Sequence, residues 1–557
     1  MQKEYFLRAK YVYILILLSF LILIIRLVYL QVINKDLSRY AQDQQASLEK
    51  LKPRRGSIFD RHGVPLAMSR SIYTLKAVPS QIKNHQTLAK YLHTMIGLKE
   101  GEILKRLKNK TKKAVYLKRR LSDDLYQKLM QKKILGLYFD REQKRYYPKG
   151  RLAVHVLGFV GDDDIGLEGL ESLYHDSLTG DLGFRAFVKD GRKRELLAIK
   201  RKTIIPRDGD NLILTLDERI QYITEREMDK IYEDCRPRGI TIIVIKPQTG
   251  EILALANRPN YNPNEALKST GQMRRNRAIT DVYEPGSTFK IVTFSGALNE
   301  NIITVEQKIF CEKGSYRVKG RRKPLHDHRP HGWMSVREVL QKSSNIGTVK
   351  IAQKLGNKRL FSYIKAFGFG SLTGVALPGE VSGFLRDLPD WSDASMSAIP
   401  MGQEIGTTPL QMTMAMAAVA NNGVLMMPLI VKELHKKDGS IVVRYEPEII
   451  RRVMEEDTAM TLVEILEGVA SPRGTARRAS IPGVRVAGKT GTAQKFDLKT
   501  KRYSKKKYMA SFIGFFPVEK PQYCIGVFVD EPPYSQRYGG TIAAPIFRKI
   551  GQELLGE

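Results

Sequence analysis

The chain has 557 residues and carries 92 Lys+Arg against 58 Asp+Glu, a formal net charge of +34. Its 42% hydrophobic and 27% charged residues argue against wholesale disorder, and its length exceeds one ordinary hydrophobic core. Three widely spaced cysteines (Cys235, Cys311, Cys524) without a C-x-x-C pair argue against a disulfide framework, a zinc ribbon and a thioredoxin-type site. The basic balance leaves nucleic acid, an anionic membrane surface and an anionic substrate as partners.

The first expected element is a membrane span over residues 11–33, apolar apart from Ser19, Arg26 and Gln31. As a helix it measures about 34 Å, against a bilayer core of about 30 Å. A cleaved signal peptide has a shorter apolar region, about 7–15 residues, followed by small residues. No A-x-A follows here, so a retained anchor is expected. Residues 1–10, with Lys3, Arg8 and Lys10, form a short basic tail of the kind that stays in the cytoplasm. The rest of the chain then lies outside the cytoplasm, which argues against nucleic acid. Arg26 is expected to snorkel or to meet a partner.

From residue 35 to about 215 the texture is irregular, with short strand-like runs and turns. Residues 99–151 hold 18 basic and 6 acidic residues, a net +12. A solvated helical surface and a face for phosphate or lipid headgroups are both open readings. Residues 211–216 then read as a strand, and Asp217 as the N-cap of a helix reaching Asp234. Residues 241–245 and 252–256 flank a Pro/Gly turn and read as a hairpin. Thr408–Pro409 opens a helix that Asn422–Gly423 ends. Residues 484–486, 511–516 and 523–529 read as three strands. Strands at both ends with helices between predict an α+β fold, an antiparallel sheet assembled from distant segments and covered by helices.

The chemistry starts at Ser287–Thr288–Phe289–Lys290. S-x-x-K alone is weak, since it occurs five times, at Ser47, Ser80, Ser287, Ser362 and Ser504. Only Ser287 follows a Pro–Gly pair and precedes an apolar helix-like stretch, residues 289–298. The spacing puts Ser287 and Lys290 on one helix face. A serine hydroxyl needs a base, and a lysine whose proton affinity is lowered by nearby positive charge can serve as one. Ser343–Ser344–Asn345 offers a hydroxyl for proton relay and an amide to hold a carbonyl or the lysine. Lys489–Thr490–Gly491–Thr492 occurs once, after the expected strand 484–486. There Lys489, Thr490 and Thr492 would line a bound peptide, and Gly491 would permit close backbone approach. Backbone N–H groups of Ser287 and Thr492 are candidates for an oxyanion hole.

In the order S-x-x-K, S-x-N, K-T-G, these motifs resemble the serine penicillin-binding proteins and the wider β-lactamase-like superfamily. The N-terminal anchor, Arg55–Gly56–Ser57–Ile58–Phe59–Asp60–Arg61, Arg145–Tyr146–Tyr147–Pro148 and Gly166–Leu167–Glu168–Gly169 look like the non-catalytic pedestal of class B members. Tyr261–Asn262–Pro263, Gly402–Gln403–Glu404 and Tyr538–Gly539–Gly540 are similar to their transpeptidase domain. Within class B the chain resembles the division type; no N-terminal glycosyltransferase domain and no C-terminal PASTA extension is expected. The resemblance implies a tail (1–10), a span (11–33), a pedestal (34–215) and a catalytic domain (216–557).

It further implies a peptidoglycan D,D-transpeptidase of the bacterial cytoplasmic membrane, with its catalytic domain periplasmic. Ser287 would be the nucleophile and Lys290 the acylation base. Ser343 and Asn345 would relay protons and position substrate, Lys489 would assist electrostatically, and Thr490 and Thr492 would hold the substrate carboxylate. Implied partners are D-Ala–D-Ala stem peptides, an acceptor amine, β-lactams, a membrane glycosyltransferase and divisome proteins. No cofactor is expected. An elongation-type enzyme, a non-catalytic β-lactam-binding scaffold or sensor, and a β-lactamase are the alternatives; Ser344, where many β-lactamases have Asp, favours a penicillin-binding protein. His326, Asp327, His328 and His331 raise a zinc site, but a polar loop is the preferred reading and no metal is expected. The basic loop from Lys495 to Lys507 reads as a solvated hairpin or as an attractor for anionic substrate.

Overall fold

The computed structural model describes residues 2–33, 46–108, 113–161, 163–189, 195–497 and 500–556. The chain divides into two compact units, Met1–Arg54 with Thr179–Gly209, and Arg55–Leu178 with Asp210–Glu557.

The first unit holds the apolar helix, Gln2–Val28, extended by a π-helical turn at Tyr29–Ile33. The helix begins earlier than the apolar stretch, because nothing in residues 2–10 breaks it. The span Lys3–Val32 is long and apolar enough to cross a bilayer, and its side chains are exposed. The Arg26 guanidinium lies 5.5 Å from the Tyr29 ring centroid, so it has a partner within its own helix. Strands Ala46–Leu51, Gly183–Lys189 and Glu195–Ile204 form an antiparallel three-stranded sheet in that order.

The second unit contains two hydrophobic cores. The smaller gathers Leu75, Leu88, Leu92, Ile103, Leu117 and Leu129 among others. It sits between helices His85–Ile96, Glu100–Leu107 and Asp123–Gln131 and strands Pro65–Ala77, Val115–Leu121 and Leu137–Tyr146. This corrects the expectation of irregular structure before residue 215. Leu137–Tyr146 (LYFDREQKRY) pairs along ten residues of Pro65–Ala77, although its polar composition hides it as a strand. Nor is the basic stretch 99–151 one helical surface: its described residues include two helices and two strands, and Arg145 in it is buried.

Arg145 belongs to a buried charge cluster that joins two of the quoted motifs to Glu171, two residues after a third. Glu171 receives Arg55 Nε at 2.7 Å on one oxygen and Arg145 Nε at 2.5 Å on the other. Tyr147 donates to the same carboxylate at 3.3 Å, and Arg55 Nη2 and Arg145 Nη1 satisfy the carbonyls of Glu171 and Gly56. Two guanidiniums share one carboxylate out of water, so removing that carboxylate leaves two uncompensated cations.

The larger core surrounds a five-stranded antiparallel sheet. Its order is Ile252–Arg258, Gly239–Ile245, Tyr523–Asp530, Arg502–Phe516 and Ala487–Asp497. The expected hairpin is its first pair, and all seven residues of Gly239–Ile245 are buried. Helix Glu218–Cys235 starts as expected on Asp217, whose carboxylate accepts from the amides of Arg219 and Ile220 at 3.0 and 3.1 Å. It packs on the sheet with Gly539–Leu555. Pro409–Ala420 also packs on the sheet; it is apolar all round and buried at every position, capped by a Thr408–Gln411 box. The expected strand 484–486 is displaced. The strand is Ala487–Asp497, so Lys489–Thr490–Gly491–Thr492 lies inside it, in register with Arg502–Phe516.

Glu171→Gln is expected to lower the stability of the purified full-length protein by about 3–5 kcal/mol, read from its denaturant midpoint. A change below about 1 kcal/mol would show that the cluster is not held as a charged unit.

Candidate active site

Ser287 sits on a tight turn rather than inside a regular α-helix. Gly286–Phe289 is 3-10, and the α-helix Lys290–Asn299 begins after it. Thr288 Oγ1 closes the turn on the Pro285 carbonyl at 2.8 Å, and the buried Phe289 ring packs 5.2 Å from Phe369. Gly286 donates to the Gly402 carbonyl at 3.0 Å. Gly402 has φ +79°, and a Cβ there would lie 2.2 Å from the Gly286 carbonyl oxygen, so this contact requires glycine. Ser287 is partly exposed, and its hydroxyl makes no hydrogen bond among the described residues.

Lys290 is fully buried. Its Nζ donates to the Ser343 carbonyl at 2.7 Å and to Asn345 Oδ1 at 2.8 Å, and lies 3.2 Å from Ser343 Oγ. Ser343 is a non-glycine residue at φ +59°, between helices Val336–Gln341 and Asn345–Leu355. That sparsely populated conformation turns its carbonyl and hydroxyl to one lysine, and it recurs at functional sites. Ser344 is buried and serves as the helix N-cap, accepting from Gly347 N at 3.0 Å. The middle position of S-x-N is therefore structural.

Lys489, also fully buried, donates to Ser343 Oγ at 3.0 Å. Burial pushes Lys290 down to about 7, countered in part by the negative charge of Asp327. Burial, and then the charge of Lys290, hold Lys489 well below its ordinary value. Two buried amines share one hydroxyl, and at neutral pH a share of Lys290 is uncharged.

Ala487–Asp497 is an edge strand of the sheet, and its Gly491 packs against the serine turn. A Cβ on Gly491 would lie 2.3 Å from Ser511 Oγ and 3.0 Å from Thr288 Cγ2, so the close approach is real. Thr492 Oγ1 accepts from Gly539 N at 3.2 Å, and Thr490 Oγ1 lies 3.1 Å from Thr475 Oγ1. The structure thus brings Lys290, Ser343, Asn345 and Lys489 into direct contact, with Ser287 on the turn against the strand of Thr490, Gly491 and Thr492.

Sequence reasoning missed several neighbours. Glu284 accepts from Glu404 N at 2.9 Å and from Tyr503 Oη at 3.0 Å, and burial raises its pKa. Its place three residues before Ser287 was the available signal. Asp327 was read with the histidines. Among the described residues no three His, Cys, Asp or Glu side chains are placed to hold a metal. Asp327 is instead bonded to Ser344, Asn345 and Ile346, and His328 to Tyr538. The basic loop is not simply solvated: Lys495 pairs with Asp530 and Glu531 at 2.8 and 2.9 Å.

The family model for the penicillin binding protein transpeptidase domain matches residues 240–552, and that for the penicillin-binding protein dimerisation domain matches residues 50–214. The chain belongs to the class B penicillin-binding proteins, a family of serine-type peptidoglycan D,D-transpeptidases. It is 35% identical to stage V sporulation protein D of Bacillus subtilis, over 99% of this chain and 85% of the relative. It is 31% identical to peptidoglycan D,D-transpeptidase FtsI of Escherichia coli, over 96% and 89%. Among solved structures, penicillin binding protein 2X of Streptococcus thermophilus is similar at 26% identity, TM-score 0.79, covering 92% of this chain and 80% of the other. Penicillin binding protein 3 of Mycobacterium tuberculosis, complexed with aztreonam, is similar at 28% identity, TM-score 0.72, covering 91% and 97%.

Gly402→Ala is expected to displace the serine turn and slow capture of a labelled penicillin by more than about tenfold. An unchanged rate would show that the turn does not depend on this contact.

Proposed function

We propose that this chain cross-links peptidoglycan stem peptides through a Ser287 acyl-enzyme during septum formation. The observation that carries the chemistry is the convergence of Lys290 and Lys489 on Ser343, beside the turn that presents Ser287. In this reading Lys290 uses its two N–H groups on oxygens that can only accept, Ser343 O and Asn345 Oδ1, which leaves its lone pair free. That lone pair takes the Ser287 proton as Oγ attacks the carbonyl carbon of the D-Ala–D-Ala bond. The N–H groups of Ser287 and Thr492 receive the oxyanion. The C–N bond breaks, the proton passes by way of Ser343 to the leaving amine, and D-Ala departs. A neighbouring stem's amine then attacks the acyl-enzyme, forms the cross-link and restores Ser287. Lys489 assists electrostatically, and the hydroxyls of Thr490 and Thr492 hold the substrate carboxylate. β-Lactams occupy the donor position in the same way.

Residues 34–215 serve as the pedestal and residues 216–557 as the catalytic domain. The apolar helix anchors the chain once in the cytoplasmic membrane, with the catalytic domain on the periplasmic side and a membrane glycosyltransferase and divisome proteins as partners. The division role is supported by Tyr538–Gly539–Gly540 and by the 31% identity to FtsI. A wall layer made during sporulation is a second reading, favoured by the 35% identity to stage V sporulation protein D.

A labelled penicillin is expected to leave a stable adduct that mass spectrometry finds on Ser287, and Ser287→Ala abolishes it. No adduct, or rapid release, contradicts the reading. The acylation rate is expected to fall below about pH 7, about tenfold per unit, as Lys290 takes up a proton. A rate flat down to about pH 5 would remove Lys290 as the base. Depletion is expected to give filaments; round cells would assign elongation, and normal growth with failed sporulation the second reading.

A further inference from the structure

One carboxylate stands behind the two lysines and takes no part in the reaction described above. Asp327 lies on the loop after strand Leu325–His326, 18 residues before Asn345. Its Oδ2 accepts from Ser344 Oγ at 2.6 Å, and its Oδ1 accepts from the amides of Asn345 at 2.5 Å and Ile346 at 3.0 Å. The preceding residue, at the end of that strand, completes the hold: Asn345 Nδ2 donates to the His326 carbonyl at 3.1 Å. The backbone and the side chain of Asn345 are therefore both fixed by two consecutive residues, His326 and Asp327. The His326 contact also settles the amide orientation, with Oδ1 turned to Lys290.

We propose that Asp327 is a positioning residue for acyl transfer: it fixes the S-x-N turn beneath Lys290 and supplies the negative charge that balances the buried Lys290. The inference rests on the reading of Lys290 as the base. The groups facing that amine can be named. The strand Ala487–Asp497 contributes Lys489, the S-x-N turn contributes only neutral groups, and the loop contributes Asp327. Glu284, on the approach to the serine turn, is engaged with Glu404 N and Tyr503. The ring of His328 is engaged with Tyr538, and His326 holds the site through its carbonyl. Asp327 is thus the carboxylate whose field acts on Lys290. A carboxylate tied by short charge-assisted bonds also cannot swing onto the lysines and quench them as a direct ion pair.

The test measures acylation by a labelled penicillin on the full-length protein, from about pH 5 to about pH 9, for the wild type, Asp327→Asn, Asp327→Ser and Ser344→Ala. Removing the negative charge makes Lys290 harder to protonate. In Asp327→Asn the acid limb is expected to move to lower pH by about half to one unit, and the plateau to fall about tenfold. Ser344→Ala keeps the charge and loses the bond to Asp327 together with the cap on Gly347 N, so its plateau falls a few-fold and its limb stays in place. Asp327→Ser, neutral and smaller, reads the same limb if the Asn variant does not fold. A lowered plateau with an unmoved limb in the neutral variants overturns the charge role. Unchanged plateaus in Ser344→Ala and the neutral variants overturn the positioning role. A wild type that is not acylated on Ser287 instead defeats the reading on which this rests.

Discussion

Lys290 and Lys489 place their ε-nitrogens on the same Ser343 hydroxyl, at 3.2 and 3.0 Å, and neither side chain is exposed to water. Burial out of water penalises the charged form of each amine and is the first cause that lowers both proton affinities. The charge of Lys290 lowers Lys489 further, while the negative charge of Asp327 offsets part of the effect on Lys290. A lysine on the surface, kept in water, is under no such pressure. In the proposed mechanism this gives Ser287 a neutral amine within one helical turn.

The fold keeps the pair together by drawing on segments far apart in the chain. Lys290 begins a helix behind a glycine-tight turn, Ser343 holds a left-handed backbone between two helices, and Lys489 comes from an edge strand. The five-stranded sheet sets the position of that strand, and its order requires segments near residues 240 and 525 to lie between others. Glycine at 402 and 491 lets turn, loop and strand meet at distances no side chain tolerates. The Arg55–Glu171–Arg145 cluster is a second buried charge assembly, but there a shared carboxylate lies between two guanidiniums and every member makes further hydrogen bonds.

Much of the catalytic unit was legible in the sequence because its signals are local. Asp217 and Thr408 cap the helices they precede, and the hairpin turn lies between two apolar runs. The order of the three motifs marked residues that the fold brings around Ser343. The K-T-G strand was set too early because Ala487 and Gly488 carry no strand preference; pairing with Arg502–Phe516 decides its start. The long strands before residue 215 were hidden by charged residues on half-exposed faces. Asp327 was obscured by its histidine neighbours. Its signal was that it is the lone acidic residue in a basic stretch that includes Arg321, Arg322, Lys323 and Arg329.

The central claim is that Lys290 is an uncharged amine when the enzyme works. Carbon-13 NMR of protein labelled at lysine Cε, with Lys290 assigned by its loss in Lys290→Arg, follows that amine directly. The account predicts one resonance that titrates near pH 7, set apart from the surface lysines. A Lys290 resonance that stays in the protonated position to above about pH 9.5 would contradict it.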